Sequence, residues 1–536
     1  MKKFKITELK LAIITSALFF LFFNYSFFKN ILKIYPVTGE NSFFLLSICF
    51  VLFFVLLLFF NLVRVFKWVR PLYGIILLIS ALASYSMFFS NAYIDNVMIL
   101  NLLHSNANEL GDLIHGSFFI YAVFFILLPL FLLYKVEVVA QPFFTRIKSI
   151  LKILALCISM ILLGVVVESK HYASFFRQHK YVRYFINPIG WVYATDKYFK
   201  KNVMAKSSEF IKIAEDAVIN NHDGKRKIVI LVVGETVRGD HISLNGYGRE
   251  TFGLMAKEDV ISFPQFTSCG TSTAISVPCM FSASSRTDFD IANAKNTENL
   301  LDVLHKTGQI HVLWRDNNSD SKGVAARVKF EDYKSANTNK VCTKDECRDV
   351  GMLEGIEELV NNSDNAQKSI LIVLHQMGNH GPAYYKRYPD EFEKFKPACL
   401  TSELQKCSQQ DIINTYDNAL VYTDYFLKET LEVLKKFPND DTALIYVSDH
   451  GESLGENGVY LHGMPYMFAP EAQTNAAMIL WFGGELRPKV DMEKLSTKVK
   501  DQLSHDNLYH SILGLFNVET STYVPELDVL KDAIKQ

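Results

Sequence analysis

Apolar residues are concentrated in the first third of the chain, and most charged residues follow Glu168. Five stretches of that first third contain no charged side chain and approach the ~20 residues that a helix needs to cross a bilayer. These stretches are Leu11–Phe28, Asn41–Val63, Pro71–Ile94, Gly116–Tyr134 and Ile153–Val167. Five in succession predict a transmembrane domain of five helices over residues 1–168, rather than buried core helices. The first stretch lacks a small-x-small cleavage site and is predicted to be a retained anchor.

Lysine and arginine are distributed unevenly between the loops that join these stretches. One side is basic, with Lys2, Lys3, Lys5 and Lys10 before the first stretch, Arg64, Lys67 and Arg70 after the second, and Lys135, Arg146, Lys148 and Lys152 after the fourth. The other side carries Lys29 and Lys33, then none between Tyr93 and Gly116. Because short cytoplasmic loops are enriched in these residues, the N-terminus is predicted to be cytoplasmic. Everything after Glu168 is then outside the cytoplasm.

Beyond the membrane region, three short runs have the pattern of buried parallel strands, rich in β-branched residues and apolar on both faces. They are Lys227–Gly234, Ser369–His375 and Thr442–Ser448. Helix-like stretches separate them, namely Thr297–Thr307, Gly351–Val360 and Asp411–Lys436. This alternation predicts an α/β domain over residues 226–536, with an open, mainly parallel sheet flanked by helices.

Residues 169–225, between the two predicted domains, are rich in Tyr, Phe and Lys. This composition is typical of a connector that lies against a membrane surface. Within it, the apolar residues of Glu209–Ile219 recur at helical spacing and predict a short helix.

The cysteines bear on the predicted topology. Cys49 and Cys157 fall inside predicted membrane helices, where a small apolar residue suffices. The other six follow residue 168 as close pairs, Cys269 with Cys279, Cys342 with Cys347 and Cys399 with Cys407. Close pairs in an extracytoplasmic domain predict disulfides. Zinc ligation is the alternative, although none of the pairs has C-x-x-C spacing.

Side chains suited to a metal stand where the three predicted strands end. Glu235 follows the first strand, Asp449 and His450 follow the third, and His380 follows the second a few residues on. Ligands of open α/β sheets bind beyond the carboxyl ends of the strands. Carboxylates and imidazole are ligands of Zn²⁺, so we expect a zinc site with one position open for a reacting oxygen.

The segment CGTSTA, which begins at Cys269, is the candidate source of that oxygen. A hydroxyl is a weak nucleophile at neutral pH, and coordination to a cation activates it. The alternative is a solvated turn. A disulfide between Cys269 and Cys279 around the segment would be unusual for such a turn.

The overall charge adds one exclusion. The 55 basic and 56 acidic side chains leave a net charge of −1. This balance gives no general attraction to a phosphate backbone, so nucleic-acid binding is not predicted.

Several long strings, in order, resemble the lipid A phosphoethanolamine transferases, a family that includes the mobile colistin-resistance enzymes. The strings are VVGETVRGDHISLNGYGRETF, FTSCGTSTAISVPCMFS, LWRDNNSDSKG, LHQMGNHGPAYYKRYP and YVSDHGESLGENGVYLHGMPY. The resemblance implies an alkaline phosphatase and sulfatase fold and an inner-membrane protein with a periplasmic catalytic domain. It implies Thr273 as nucleophile beside a zinc ion held by Glu235, Asp449 and His450.

The resemblance also implies secondary roles. His380 and His462 match histidines near the phosphoryl group or a second metal, and Lys322 matches a lysine that contacts substrate. In the membrane half, Asn101, Ser105 and Glu109 match positions for the ethanolamine head group, with Ser105 in place of the family's threonine. Simpler alternatives are a solvated Lys322, a turn-capping His380, and a loop in which the other three face water.

Together these features predict a zinc-dependent transfer of phosphoethanolamine. The donor would be phosphatidylethanolamine, a membrane lipid, and the acceptor lipid A or the lipopolysaccharide core. A phosphoethanolamine-threonine intermediate would form at Thr273 as diacylglycerol leaves. The alternatives are a membrane phosphoglycerol transferase, a phosphohydrolase, or a non-catalytic membrane sensor with a phosphatase-like domain.

Overall fold

The computed structural model describes residues 3–535 except 91–92, 105–110, 112–113, 115, 170, 173–174, 176–178, 201–208, 220–224, 345 and 366. Contacts divide the chain into two compact units. The membrane unit comprises Met1–Ile99 and Ile114–Phe199, and the α/β unit comprises Leu100–Leu113 and Lys200–Gln536. The finer boundaries at residues 168 and 225 stay predictions.

The apolar stretches of the first third are helical. The described α-helices up to Tyr198 are Glu8–Leu18, Tyr25–Ile34, Gly39–Val63, Val69–Ser90, Asn96–His104, Gly116–Ala122, Leu128–Lys135, Phe143–Val167 and Ile189–Tyr198. The π-helical turns Phe19–Phe23 and Val123–Leu127 extend two of them. By length and composition, four spans among the described residues can cross a bilayer. A fifth crossing results if the bent pair Glu8–Phe23 and Tyr25–Ile34 is one span.

Several predicted spans have different ends in the structure, and the third and the last are examples. The third ends at Ser90 rather than Ile94, and the last begins at Phe143 rather than Ile153. Charge-free stretches define where a membrane helix is apolar, but a helix continues past them wherever its polar groups are satisfied. Arg146, inside the extended helix, is buried with its Nε 3.8 Å from the Glu8 carboxylate.

The first span is bent by 55° after Phe23. The segment contains neither proline nor glycine, and a π-helical turn followed by Asn24 breaks the helix instead. The Asn24 amide donates to the carbonyl oxygens of Phe19 (3.0 Å) and Asn187 (2.9 Å), and its oxygen accepts the Asn187 N–H (3.0 Å). The Asn187 amide donates to Phe23 O at 3.1 Å. The two buried asparagines thus satisfy backbone groups that the break would leave unpaired.

The strands of the described residues range from two to ten residues in length, and β1 and β2 belong to the membrane unit. They are β1 Phe4–Thr7, β2 Val136–Val139, β3 Val218–Ile219, β4 Lys227–Gly234, β5 Val260–Thr267, β6 Ile310–Asp316, β7 Lys329–Asp332, β8 Ser369–His375, β9 Asp441–Ser448, β10 Ser453–Leu454, β11 Tyr460–Leu461, β12 Asn475–Gly484, β13 Leu503–Ser504 and β14 Val518–Glu519.

Within the described residues, eight strands form one sheet in the order β13-β5-β12-β9-β4-β8-β6-β7. β12 is antiparallel to β5 and β9, and the other neighbours are parallel. The three predicted strands are β4, β8 and β9, which lie side by side. The predicted open, mainly parallel sheet is confirmed.

Helices and two apolar clusters cover the faces of this sheet. The described α-helices of this region are Thr273–Met280, Ile291–Ala294, Leu300–Lys306, Ile356–Asn361, Gln409–Leu434, Glu471–Thr474, Met492–Thr497 and Asp506–Leu515. Two of the three predicted helices are present, whereas the predicted helix Gly351–Val360 is divided into a 3-10 turn, Asp349–Leu353, and the short helix Ile356–Asn361. Local chemistry sets the ends of these helices. Capping boxes at Asn299 and Ser408 begin two of them. Gly355, with φ at +72°, separates the third from a preceding 3-10 turn.

The helix predicted over Glu209–Ile219 is wrong. Ile211 forms a β-bridge with Thr297, Ala214 has a φ of +51°, and β3 pairs antiparallel with β14. The apolar residues do reach the core, where Ala214 is buried. Their spacing fits a helix, but backbone pairing with distant segments satisfies this stretch in an extended form.

The six cysteines of the α/β unit pair as Cys269–Cys279, Cys342–Cys347 and Cys399–Cys407. Because all six are paired in disulfides, none of these six cysteines can serve as a thiolate ligand of a metal. Cys49 and Cys157 are free and lie in membrane helices.

We expect Asn24→Leu to lower the unfolding temperature of the detergent-solubilised protein by several degrees. The substitution leaves the buried polar groups of Asn187 without their partners, which costs ~1–3 kcal/mol. Asn41→Leu is the matched control, because Asn41 makes an exposed bond to Pro36 O. Equal unfolding temperatures for the two variants, measured by tryptophan fluorescence, would contradict a role for Asn24 in holding the bend.

Candidate active site

Glu235 follows the last residue of β4, and its side chain is fully buried. Its Oε2 accepts a hydrogen bond from Asn318 Nδ2 at 2.8 Å and another from Thr273 Oγ1 at 3.0 Å. The next residue, Thr236, has a φ of +55°, which β-branched residues rarely adopt. This conformation directs the Thr236 N–H to Asp449 Oδ1 at 3.1 Å. The strained turn therefore links the ends of two neighbouring strands.

Asp449 and His450 follow β9 and are also fully buried. Asp449 Oδ1 accepts the N–H groups of Thr236 and His450, whereas its Oδ2 lies 3.3 Å from His450 Nε2. His450 Nδ1 donates to Gly451 O at 2.9 Å. This bond fixes the tautomer, so that the lone pair of Nε2 faces the carboxylates. Burial lowers the pKa of His450, which favours the neutral ring.

Thr273 is the first residue of an eight-residue helix. Its Oγ1 lies 3.0 Å from Glu235 Oε2 and 3.4 Å from His450 Nε2. The disulfide between Cys269 and Cys279 closes the segment that carries it. The hydroxyl is thus held against one carboxylate and one imidazole, at a helix start whose N–H groups favour an anion.

The chemistry of these residues fits a divalent cation. Asp449 Oδ2 is buried and has no hydrogen-bond partner among the described residues. Glu235 Oε1 and Asp449 Oδ2 lie 3.6 Å and 3.3 Å from the same nitrogen, His450 Nε2. Burying two neighbouring carboxylates is costly unless a cation offsets their charge. Carboxylate oxygens and imidazole nitrogens are ligands of Zn²⁺. Glu235, His450 and His462 also form a group whose candidate ligand atoms all lie within 4.8 Å of one another.

Two further histidines lie beside this group. The ring centroid of His462 is 4.4 Å from that of His450 and 5.6 Å from that of His380. His462 Nδ1 donates to Glu452 Oε2 at 2.8 Å, and Tyr384 O–H donates to the other oxygen of Glu452 at 2.6 Å. Burial, followed by the nearby His462, lowers the pKa of His380 well below its usual value.

Lys322 lies in the loop after β6, where its side chain is buried and its φ is +52°. Its Nζ contacts Ser319 Oγ and lies 3.6 Å from Asp320 Oδ1. Its positive charge also contributes to the lowered pKa of His380. Lys322 is therefore buried and paired rather than plainly solvated, and its contact with substrate stays a prediction.

Three residues important to the site were not singled out from the sequence. Asn318 holds Glu235, and Glu452 orients His462. Both fall inside the motif strings quoted above. Asn318 lies close in sequence to Lys322 and Glu452 to His450, and this proximity is the sequence signal that could identify them. The third, His505, hydrogen-bonds to the backbone on both sides of its ring.

No local pattern distinguishes His505. It is buried immediately before the helix Asp506–Leu515, far in sequence from the other site residues. Burial lowers its pKa to about 4, so the ring is neutral at neutral pH.

The residues predicted to bind the head group are described only in part. Asn101 is half-buried in the helix Asn96–His104. Ser105 and Glu109 lie outside the described residues. Their roles stay predictions.

Two family matches divide the chain. Residues 227–518 match the Sulfatase family, and residues 52–203 match the family described as Phosphoethanolamine transferase EptA/EptB. The first covers the sheet and the site around Thr273, and the second covers most of the membrane helices.

Similar proteins align over nearly the whole chain. Phosphatidylethanolamine transferase Mcr-1 of Escherichia coli is 42% identical over 510 residues, which are 92% of each protein. Phosphoethanolamine transferase EptA of Escherichia coli K12 is 36% identical over 520 residues, covering 95% of this chain and 94% of that one.

A solved structure matches at the same scale. The integral membrane protein lipooligosaccharide phosphoethanolamine transferase A (EptA) from Neisseria meningitidis is 35% identical, with a TM-score of 0.94 over 98% of this chain and 99% of that one. Identity of this extent, running through both units, confirms the resemblance seen in the motif strings. The chain belongs to the phosphoethanolamine transferase family, and its α/β unit matches the Sulfatase family.

Proposed function

We propose that this protein transfers phosphoethanolamine from phosphatidylethanolamine to lipid A or the lipopolysaccharide core. The observation that carries the proposal is the position of Thr273 Oγ1, 3.0 Å from Glu235 and 3.4 Å from His450. Similar proteins support it, since Mcr-1 is named a phosphatidylethanolamine transferase and the meningococcal structure a lipooligosaccharide phosphoethanolamine transferase. The protein would be a multi-pass inner-membrane enzyme with its α/β unit in the periplasm.

In the first step, Thr273 Oγ1 attacks the phosphorus of the donor. A bond forms between this oxygen and phosphorus as the bond from phosphorus to the glycerol oxygen breaks. Thr273 loses its proton, and the glycerol oxygen gains one, so that diacylglycerol leaves and phosphoethanolamine remains on the threonine. Glu235 Oε2 already accepts the Thr273 hydroxyl hydrogen, which orients an oxygen lone pair for attack.

In the second step, an oxygen of the acceptor attacks the same phosphorus. The bond to Thr273 breaks, the threonine regains its proton, and the acceptor oxygen loses one. His380 and His462 lie within one cluster of rings beside His450 and are suited to accept or return these protons. Lys322 would offset negative charge on the phosphoryl oxygens.

Glu235, Asp449 and His450 would hold a zinc ion next to Thr273. When bound, such an ion lowers the pKa of a coordinated hydroxyl and offsets charge on a departing oxygen. The protein's own contribution is orientation. Asp449 is fixed by two backbone N–H groups and His450 by the Gly451 carbonyl, so that His450 Nε2 lies 3.4 Å from the Thr273 hydroxyl and 3.3 Å from Asp449 Oδ2.

Donor recognition requires a partner for the ammonium group, and the residues around Thr273 suit phosphate instead. Asn101, Ser105 and Glu109 would supply that partner, with the carboxylate pairing with the cation and the other two donating or accepting hydrogen bonds. Glycerol phosphate has no cation, so this set favours an ethanolamine donor over a phosphoglycerol donor.

Replacing the nucleophile should abolish both half-reactions. We expect Thr273→Ala to release no diacylglycerol from phosphatidylethanolamine in detergent, with zinc content and unfolding temperature unchanged. Thr273→Ser is the matched control, because it keeps the oxygen, and it should retain measurable transfer and a covalent adduct visible by mass spectrometry. Diacylglycerol release by Thr273→Ala at the wild-type rate would remove Thr273 from the mechanism.

Loss of any one ligand should weaken metal binding. Glu235→Gln, Asp449→Asn and His450→Gln should each lower the zinc content of the purified protein, measured by inductively coupled plasma mass spectrometry. A site with three protein ligands binds weakly after losing one. Glu250→Gln is the control, since this carboxylate is exposed and pairs with Lys394. Full zinc occupancy in all three ligand variants would refute the assignment.

Glu109→Gln should weaken transfer without changing zinc content. A charge-assisted bond to the ammonium contributes roughly 1–3 kcal/mol, which corresponds to a ~10- to 100-fold loss at 1.4 kcal/mol for each tenfold step. The preference for phosphatidylethanolamine over phosphatidylglycerol should narrow as well. An unchanged rate together with an unchanged donor preference, measured on mixed micelles, would show that Glu109 does not recognise the donor.

A further inference from the structure

His505 lies between three segments of the α/β unit that meet at the active site. It follows β13 and is 1% exposed. The ring contacts the backbone of Cys269 in the disulfide-closed segment, the side chain of Ser276 in the helix that Thr273 begins, and the backbone of Ser448 at the end of β9.

The partners of His505 define its hydrogen bonds. The Cys269 N–H can only donate, so Nδ1 is the acceptor of that bond at 3.0 Å. The Ser448 carbonyl can only accept, so Nε2 carries the hydrogen and donates at 2.9 Å. Both ring nitrogens are therefore committed to backbone groups, one in the nucleophile's segment and one beside Asp449.

Ser276 completes the connection. Its Oγ donates a hydrogen bond to Asp449 O and lies 3.2 Å from His505 Nδ1. The helix that begins at Thr273 is thus fixed to the Asp449 backbone by Ser276, and the Cys269 segment before it is fixed to Ser448 through the imidazole. Buried bonds to the main chain on both sides leave this joint little freedom to relax.

We propose that His505 is a positioning residue. It holds the segment of Thr273 against the end of β9 and so keeps Thr273 Oγ1 at its short distances from Glu235 and His450. This inference rests on the proposed function of Thr273. His505 bonds to the backbones of Cys269 and Ser448, so its effect is on the distance between the nucleophile and the groups that activate it. A displacement of about 1 Å at a reacting atom can cost on the order of 100-fold in rate.

His510 provides a matched control in the next helix. It is also buried, burial lowers its pKa to about 4 as well, and its Nδ1 accepts a backbone N–H, from Val524 at 3.1 Å. The two histidines thus make similar bonds and differ in what they hold. Val524 belongs to the C-terminal segment rather than to the active site.

The experiment compares His505→Leu, His505→Asn, His510→Leu and His510→Asn in the full-length zinc-loaded protein. Diacylglycerol release from phosphatidylethanolamine micelles gives kcat and KM per folded molecule. We expect His505→Leu to lower kcat ~10- to 100-fold with KM unchanged. His505→Asn should restore part of kcat, because Asn Oδ1 can replace Nδ1 as acceptor for the Cys269 N–H. Both His510 variants should keep the wild-type kcat.

Hydrogen exchange supplies a readout that does not depend on activity. Amides of residues 268–281 should exchange faster in His505→Leu than in wild type, and at the wild-type rate in His510→Leu. If His505→Leu does not fold, His505→Asn against His510→Asn decides the question by the same measurements.

The proposal is overturned if kcat stays at the wild-type value in the His505 variants, or if it falls equally in the His510 variants and tracks unfolding temperature. Thr273→Ala separates this failure from that of the proposed function. An active Thr273→Ala would remove the nucleophile itself. An inactive Thr273→Ala beside fully active His505 variants would remove only the positioning role.

Discussion

β4 pairs in parallel with β9 along its whole length, and on its other side with β8 from Ile228 to Val233. All eight of its residues are buried, so its register is fixed by core packing on both faces. Parallel strands end at the same edge of a sheet, and the carboxyl ends of β4 and β9 therefore meet. Glu235 and Asp449 owe their proximity to this pairing. Gly378, after β8, approaches the same edge so closely that a Cβ there would lie 3.0–3.1 Å from atoms of Glu235, and this close approach requires glycine.

The pairing of β4 with β9 also brings two negative charges together, and hydrogen bonds from surrounding residues partly stabilise them. Two carboxylates are brought together in a buried place, where repulsion and desolvation are both large. Each has one oxygen engaged by the protein, Glu235 by Asn318 and Asp449 by two backbone N–H groups. Each imidazole also has one nitrogen held by the protein, His450 by the Gly451 carbonyl and His462 by the Glu452 carboxylate. This arrangement stabilises one orientation for each side chain and leaves a cation to offset the remaining charge.

The sequence predicted those parts of the molecule whose cause is local. Charge-free stretches, all-apolar strands and the residues that follow each strand are visible without tertiary structure, and they predict that Glu235, Asp449 and His450 meet at one edge of the sheet, where the structure places them. The extended form of Glu209–Ile219 was not predictable, because it depends on pairing with Thr297 and with β14. His505 was missed for a related reason. Its partners, Cys269 and Ser448, are distant in sequence, and no periodicity or motif connects them to it.

The two family matches cover different parts of the chain and differ in how specific they are. The α/β unit matches the general Sulfatase family, whereas residues 52–203 match a family defined by phosphoethanolamine transfer. A site made of carboxylates, imidazoles and a threonine hydroxyl is suited to phosphoryl and sulfuryl esters in general. In the proposed reaction, the ammonium of ethanolamine needs a partner in addition to these groups. Asn101 and Glu109, which are proposed to bind the head group, belong to the portion of the sequence that carries the more specific match.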